Sequence, residues 1–333
     1  MSNADSLLLH DLTRKLPEPK RGGVIAIGNF DGVHRGHQVV LQTAKDLAEA
    51  KKVPCLALSF EPHPRTLFRP QSPVFRLTPQ DQKARVMAAF GLHGLLNLPF
   101  TRDLASTIAD EFVDEFLVER AGADHIVTGY DFHFGKDRQG TPEFLIQAGE
   151  KRGFGVTIVS AHSDENAEPI SSSRIRRSLG AGNISEASGL LGYRWCVSGE
   201  VIKGAQLGRT LGYPTANLAL PESCHLAHGI YAVRLRRADG TLHNGVASYG
   251  RRPTFDNGEA VLETYVFDFD GDLYGEEIEG SLFSWLRGEE KFDSADALVE
   301  QMKRDEAEAR ACLGGVSPLS PLDQALTFEG LVV

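Results

Sequence analysis

Cysteine is scarce in this chain and never closely paired: Cys55, Cys196, Cys224 and Cys312 are its four, and no CxxC occurs. That excludes a zinc-ribbon ligand set and a disulfide framework, so free thiols are expected. No apolar run approaches the ~18 residues of a membrane span. The opening MSNADSLLLHDL has an apolar stretch too short for a signal peptide, with acids on both sides. A cytoplasmic protein with no membrane partner is expected. Positive charge is not in excess either, since 35 Lys and Arg face 45 Asp and Glu for a net charge of −10. No nucleic-acid partner is expected from such a surface, and small phosphorylated ligands stay open. Internal repeats and low-complexity tracts are missing as well.

What is present is ordinary globular material. The 333 residues are 41% hydrophobic and 24% charged, which suits two domains of roughly 150 residues each. From Val24 to about Ser173, short β-branched runs alternate with longer amphipathic segments, the pattern of βαβ units in a doubly wound parallel sheet. Val24–Phe30, Leu56–Phe60, Leu95–Leu98, His125–Gly129 and Val156–Ser160 read as about five core strands. Thr78-Pro79-Gln80-Asp81 and Thr141-Pro142-Glu143 each offer an N-cap, a proline at the first helical position and an early acid. Beyond Gly192, Gly229–Leu235, Asn244–Gly250 and Val261–Phe269 are strand-like runs punctuated by glycine, which suggests an all-β antiparallel barrel or sandwich. A last helix is expected from about Ser294 to Ala311, burying Ala297, Leu298, Met302 and Ala309. The join is expected between Gly180 and Gly192, giving domains 1–186 and 187–333.

Chemistry concentrates first in Gly28-Asn29-Phe30-Asp31-Gly32-Val33-His34-Arg35-Gly36-His37, which follows a buried strand and precedes an apolar-periodic helix carrying Val39, Val40, Ala44 and Leu47. Free amides at a helix N-terminus favour a polyphosphate, and glycines allow it close backbone approach. His34 and His37, three apart, can face the same ligand. Late in the domain, Ile170-Ser171-Ser172-Ser173-Arg174-Ile175-Arg176 places hydroxyls and guanidinium charge at a helix start, suited to a leaving pyrophosphate.

The first segment resembles the HxGH signature of the nucleotidylyltransferase superfamily, and its GNFDGVHRGH wording is similar to that of bacterial FAD synthetases. The second resembles the superfamily's ISSTxxR motif, with Ser173 keeping the hydroxyl of the usual threonine. This resemblance implies a Rossmann-like N-terminal domain that transfers AMP from ATP to FMN. His34, His37 and Arg176 would act in catalysis, and Gly28, Asn29, Phe30, Asp31, Gly36, Ser171, Ser172, Ser173 and Arg174 would bind nucleotide. Ser59-Phe60-Glu61-Pro62-His63-Pro64 and Gly129-Tyr130-Asp131-Phe132-His133-Phe134-Gly135 also agree with it. Both fall at predicted carboxyl ends of strands, where open α/β sheets bind ligands. The resemblance implies flavin contacts by Pro62, His63, Asp131 and Phe132.

In the second domain, Gly204-Ala205-Gln206-Leu207-Gly208-Arg209-Thr210-Leu211-Gly212-Tyr213-Pro214-Thr215-Ala216-Asn217 sets glycines before a Pro-Thr-Ala-Asn turn. Glycines let amides reach phosphates, and side-chain oxygens suit a hard cation, so Thr215 and Asn217 are candidate Mg²⁺ ligands. With no GKS or GKT this is no Walker loop. The segment resembles the flavokinase signature, and Gly245-Val246-Ala247, Arg252-Pro253-Thr254-Phe255, Leu262-Glu263-Thr264 and Asp272-Leu273-Tyr274-Gly275 keep that family's order. The resemblance implies Glu263 as base for the riboflavin hydroxyl, nucleotide contacts by Gly204, Gly208 and Arg209, and flavin contact by Arg287. ATP would be co-substrate of both steps, with riboflavin and FMN as the other partners.

Nearly the whole chain, from about Val24 to Arg310, is thereby identified as similar to the bacterial bifunctional riboflavin kinase/FMN adenylyltransferase family. HxGH and ISSSxxR alone leave other nucleotidylyltransferases open, and the flavokinase-like domain argues against them. A KMSKS string, expected of the related aminoacyl-tRNA synthetases, is absent. A non-catalytic flavin sensor on the same fold is the remaining alternative, and self-association stays open, with no surface patch legible for it.

Overall fold

The computed structural model describes residues 8–204, 208, 211–251 and 260–329. They divide into two compact units, one ending at Ser171 and the other starting at Ser172. Arg209 and the Arg252-Pro253-Thr254-Phe255 segment lie outside the described residues.

The first unit is built on a parallel six-stranded sheet in the order β1-β4-β3-β2-β5-β6. Its strands are β1 (Leu8–Asp11), β2 (Val24–Ile27), β3 (Cys55–Glu61), β4 (Gly94–Pro99), β5 (His125–Gly129) and β6 (Gly155–Val159). All four residues of β2 and the first six of β3 are buried, so both faces of the sheet are covered, as βαβ crossovers require. The helices are α1 (Arg35–Lys51), α2 (Pro64–Phe68), α3 (Gln80–Phe90), α4 (Arg102–Ser106), α5 (Ala109–Phe112) and α6 (Pro142–Arg152). Helix α1 buries Val40, Leu41, Ala44 and Ala48, a stripe of 3.6-residue period. The Val39 and Leu47 of the expected face are only half-buried.

Three expectations are corrected here. The sheet has a sixth strand, β1, whose parallel pairing with β4 is a long-range contact that four residues cannot announce locally. The first core strand ends at Ile27 rather than Phe30, because the chain turns at Gly28. Thr78 does not cap α3, whose N-cap is Pro79; its buried hydroxyl instead accepts the Gly32 N–H at 2.8 Å. Thr141 does cap α6, accepting from Phe144 N, with Pro142 in the first turn.

The second unit holds α7 (Ser172–Gly180), α8 (Ile184–Leu191) and a six-stranded antiparallel sheet ordered β7-β12-β9-β10-β11-β8. These strands are β7 (Cys196–Glu200), β8 (Thr215–Ala219), β9 (Gly229–Arg236), β10 (Leu242–Arg251), β11 (Ala260–Val266) and β12 (Glu277–Arg287). An Ile202–Asn217 bridge links the two ends of the order, so the sheet is a nearly closed barrel with few exposed edges. Helix α9 (Ala295–Gly314) packs on β9, β10 and β12. It buries Asp305, Ala309 and Leu313, while Ala297 is exposed, so only its second half faces the barrel.

Beyond α9 the chain returns to the start of β7. Asp323, fully buried, accepts the Arg194 N–H at 2.9 Å, ion-pairs with the Arg194 guanidinium and takes the Thr327 hydroxyl. Removing one partner of such a pair strands a buried charge. Asp323→Ala should therefore lower the stability of this unit by about 3 kcal/mol, read as a shift of its urea unfolding transition with that of the first unit unmoved.

Candidate functional site

In the first unit the strand order reverses direction between β2 and β5. At such a switch point the connections leaving adjacent strands diverge and open a crevice at the carboxyl ends. The Gly28–His37 turn leaves β2 and the Gly129–Gly135 loop leaves β5, so both border this crevice. The Pro62-His63 segment leaves β3, the neighbour of β2 on the other side. A cavity of about 420 Å³ lies instead at the opposite ends of the strands, beside Lys45, Glu49, Lys52 and Cys55. Burial pushes the Cys55 thiol up to about 12, which leaves it unreactive.

The turn itself is tightly wound. Phe30, Gly32 and Val33 all have positive φ (47°, 87° and 37°), an outlier conformation for a β-branched residue of the kind that gathers at functional sites. His34 is the N-cap of α1, its Nδ1 accepting the His37 N–H at 3.3 Å. The two imidazoles stack with centroids 3.6 Å apart, and Phe30 meets the His37 ring edge-on. A Cβ on Gly36 would lie 3.2 Å from the His34 ring, so glycine suits that position. His37 Nδ1 is buried with no hydrogen-bond partner among the described residues. Burial, then His34 and Lys83, hold the His37 pKa well below the usual histidine value. The imidazole is therefore neutral near pH 7 and interacts through a single N–H rather than a charge.

A buried polar frame that the motifs did not announce holds this turn. Asp31, 1% exposed, accepts the Leu77 and Thr78 N–H groups at 2.9 and 3.1 Å and lies 3.5 Å from Arg76 Nε. Arg76 also pairs with Glu61. Lys83 on α3 donates to the Asn29 carbonyl at 2.9 Å and to Ser59 Oγ at 2.8 Å, and Ser59 Oγ donates to the same carbonyl at 3.1 Å. One signal for Lys83 was readable: it continues the buried stripe of Val86 and Met87, where a lysine is out of place.

The other residues expected here are placed as follows. Gly28 packs beneath the Phe30 ring, and the Asn29 side chain is exposed. Pro62 is exposed, and His63 accepts from Arg65 N at the start of α2. Asp131 is exposed, while Phe132 is half-buried and stacks on Phe134, itself buried in the core. Ser171 closes the first unit. Ser172, Ser173, Arg174 and Arg176 belong to α7 of the second. There the Arg174 guanidinium ion-pairs with Glu186 of α8 at 3.0 Å, and Ser178 donates to the same carboxylate.

The barrel assembles its own constellation from strand register. Asn217 of β8 sits opposite Glu263 of β11, and Thr215 opposite Tyr265. Directly opposed residues share a sheet face, with Cβ atoms about 5 Å apart. Thr215, Asn217 and Glu263 thus project together. Thr215 Oγ1 lies 3.5 Å from Asn217 Oδ1, and both border a cavity with Asp272 and Tyr274 of the Asp272-Leu273-Tyr274-Gly275 segment. A Cβ on Gly204 would meet the Asn217 amide at 2.6 Å, and Gly208 accepts from Leu211 N and Tyr213 N. Glycine at 204 thus permits close approach to Asn217, and glycine at 208 permits close approach to the Tyr213 carbonyl. Neutral oxygens beside a carboxylate form a donor set that fits a hard cation. Arg287 donates to the buried Asp305 at 2.8 and 2.6 Å, which ties β12 to α9.

Known proteins carry the same two halves in the same order. The FAD synthetase family pattern matches residues 16–174 and the riboflavin kinase pattern residues 191–313. A bifunctional riboflavin kinase/FMN adenylyltransferase of Escherichia coli K12 is 36% identical over 93% of this chain and 98% of its own length. One from Pseudomonas fluorescens is 40% identical over 91% and 96%. A Streptococcus pneumoniae crystal structure described as a macrolide-efflux protein superposes with a TM-score of 0.80 at 33% identity, covering 91% of this chain and 97% of that one. No helix among the described residues is long and apolar enough to cross a membrane. The chain belongs to the bifunctional riboflavin kinase/FMN adenylyltransferase family, transferases that phosphorylate riboflavin to FMN and adenylylate FMN to FAD.

Proposed function

We propose that AMP transfer occurs at the Gly28–His37 turn and riboflavin phosphorylation at the Thr215–Asn217–Glu263 face of the barrel, with 1–186 and 187–333 as the functional division and the cytoplasm as the place of action. For the first site, the supporting observation is the buried Nδ1 of His37 at the sheet's switch point, which has no hydrogen-bond partner among the described residues. The phosphate of FMN attacks the α-phosphorus of ATP and pyrophosphate leaves, so positioning and charge stabilisation do the work. His37 supplies one imidazole N–H to a phosphate oxygen. His34 holds His37 by capping the helix and stacking on the ring. Ser171, Ser172, Ser173, Arg174 and Arg176 bind the leaving pyrophosphate.

For the second site, the register that sets Glu263 opposite Asn217 supports the reading. Glu263 accepts the proton of the ribityl 5′-hydroxyl as that oxygen attacks the γ-phosphorus of ATP. Thr215 and Asn217 would hold Mg²⁺, which when bound neutralises charge developing on the transferred phosphoryl group. Asn217→Ala should raise the Mg²⁺ concentration needed for half-maximal kinase rate and lower that rate about 100-fold, with FMN adenylylation unaffected. The whole reading is tested by incubating the protein with riboflavin, ATP and Mg²⁺ and separating products. FMN followed by FAD supports it, and binding of riboflavin without turnover would instead indicate a flavin sensor.

A further inference from the structure

The Asn29 carbonyl lies two residues beyond β2, in the turn that carries His34 and His37, and it accepts two hydrogen bonds, one from Lys83 and one from Ser59. Ser59 belongs to β3, so the Lys83 ammonium joins the carboxyl ends of the two strands that carry the turn and the Pro62-His63 segment. The lysine is 1% exposed. Its direct partners, a carbonyl and a hydroxyl, are neutral, and no carboxylate lies within ion-pairing distance of it among the described residues. Arg76, the other cation of the frame, is paired with Glu61 and lies beside Asp31. With His37 neutral, Lys83 brings a positive charge, in no direct ion pair among the described residues, beneath a turn proposed to hold a triphosphate.

We infer that Lys83 is a positioning residue for FMN adenylylation: it pins the Asn29 carbonyl to Ser59, fixing the turn that carries His34 and His37, and sets its ammonium under that turn. This rests on AMP transfer occurring there. The groups facing Lys83 are Arg76 before α3, Asp31 after β2, Glu61 at the end of β3, and His37 on α1. Burial, then Arg76, pull the Lys83 pKa down to about 8, with Asp31 and Glu61 opposing. The ammonium is charged near neutral pH and loses its proton as pH rises through that value.

The test measures kcat/KM for ATP in FMN adenylylation from about pH 6.5 to 9.5, with riboflavin phosphorylation followed in the same full-length protein. Wild-type adenylylation should fall as pH passes about 8, and the kinase should not follow. Lys83→Met should lower kcat/KM for ATP at pH 7 by about tenfold or more without that alkaline fall, at an unchanged KM for FMN. Lys83→Arg should restore most of the activity and stay active to higher pH. A flat wild-type profile overturns the inference, as does a Lys83→Met protein with full activity or with the alkaline fall intact. If Lys83→Met does not fold, the wild-type and Lys83→Arg profiles decide. His37→Ala separates the two levels: if it spares FAD formation, the placement of AMP transfer fails, whereas loss in His37→Ala with none in Lys83→Met refutes Lys83 alone.

Discussion

Glu263→Gln should reduce FMN formation from riboflavin by about 10²- to 10⁴-fold, the usual contribution of a positioned general base, while FMN adenylylation continues at the wild-type rate. Gln keeps the size of the side chain and the strand position opposite Asn217, so the β8–β11 register and the barrel should persist. What it removes is the capacity to take a proton. The hydroxyl nucleophile then attacks without a base, and the loss falls on kcat rather than on KM for riboflavin. Coupled product analysis with riboflavin, then with FMN, reads the two steps separately. Equal loss of both activities would assign Glu263 a structural role and sink its role as base.

His37→Ala should do the reverse, lowering FAD formation from FMN by about 10²- to 10³-fold, the scale of removing one preorganised donor, and leaving riboflavin phosphorylation intact. Three things go with the ring: the single N–H offered to phosphate, the face that stacks on His34, and the edge contact with Phe30. The backbone bond from His37 N to His34 Nδ1 does not need the side chain, so α1 keeps its cap. His37→Gln, which restores an N–H, should recover part of the rate. Because burial keeps the His37 imidazole neutral near pH 7, the wild-type rate should not depend on His37 deprotonating in the usual histidine range. FAD formation by His37→Ala at the wild-type rate would refute the role given to the turn.

The two mutants together separate the activities, which reflects how differently the two sites were written into the chain. GNFDGVHRGH and GYPTAN are contiguous, and their chemistry follows from local geometry: glycines, a cap and a proline turn act over a few residues. Apolar runs likewise placed β2 through β6, since strands at the centre of the sheet such as β2 and β3 are buried on both faces, and a cap motif placed the start of α6. Edges were less legible. Strand β1 is four residues long and exists by pairing with β4, and Thr78 looked like a cap because Thr-Pro-x-Asp usually is one. Its hydroxyl goes to Gly32, a partner no local pattern could name.

Length and hydrophobic patterning by themselves determined two domains, an α/β half followed by an all-β half, since they depend on contiguous residues or on averages over many, and the flavin-processing transferase was what the resemblance of the motifs to known families implied. Tertiary structure alone decided the rest. It set the sheet order that puts the crevice between β2 and β5, and the register that brings Glu263 beside Asn217. It gathered Asp31, Glu61, Arg76 and Lys83 into one buried frame under the histidine turn. Each of these joins residues remote in sequence, and such pairings are chosen by the burial and hydrogen-bond satisfaction of the whole core, which no short window of the chain contains.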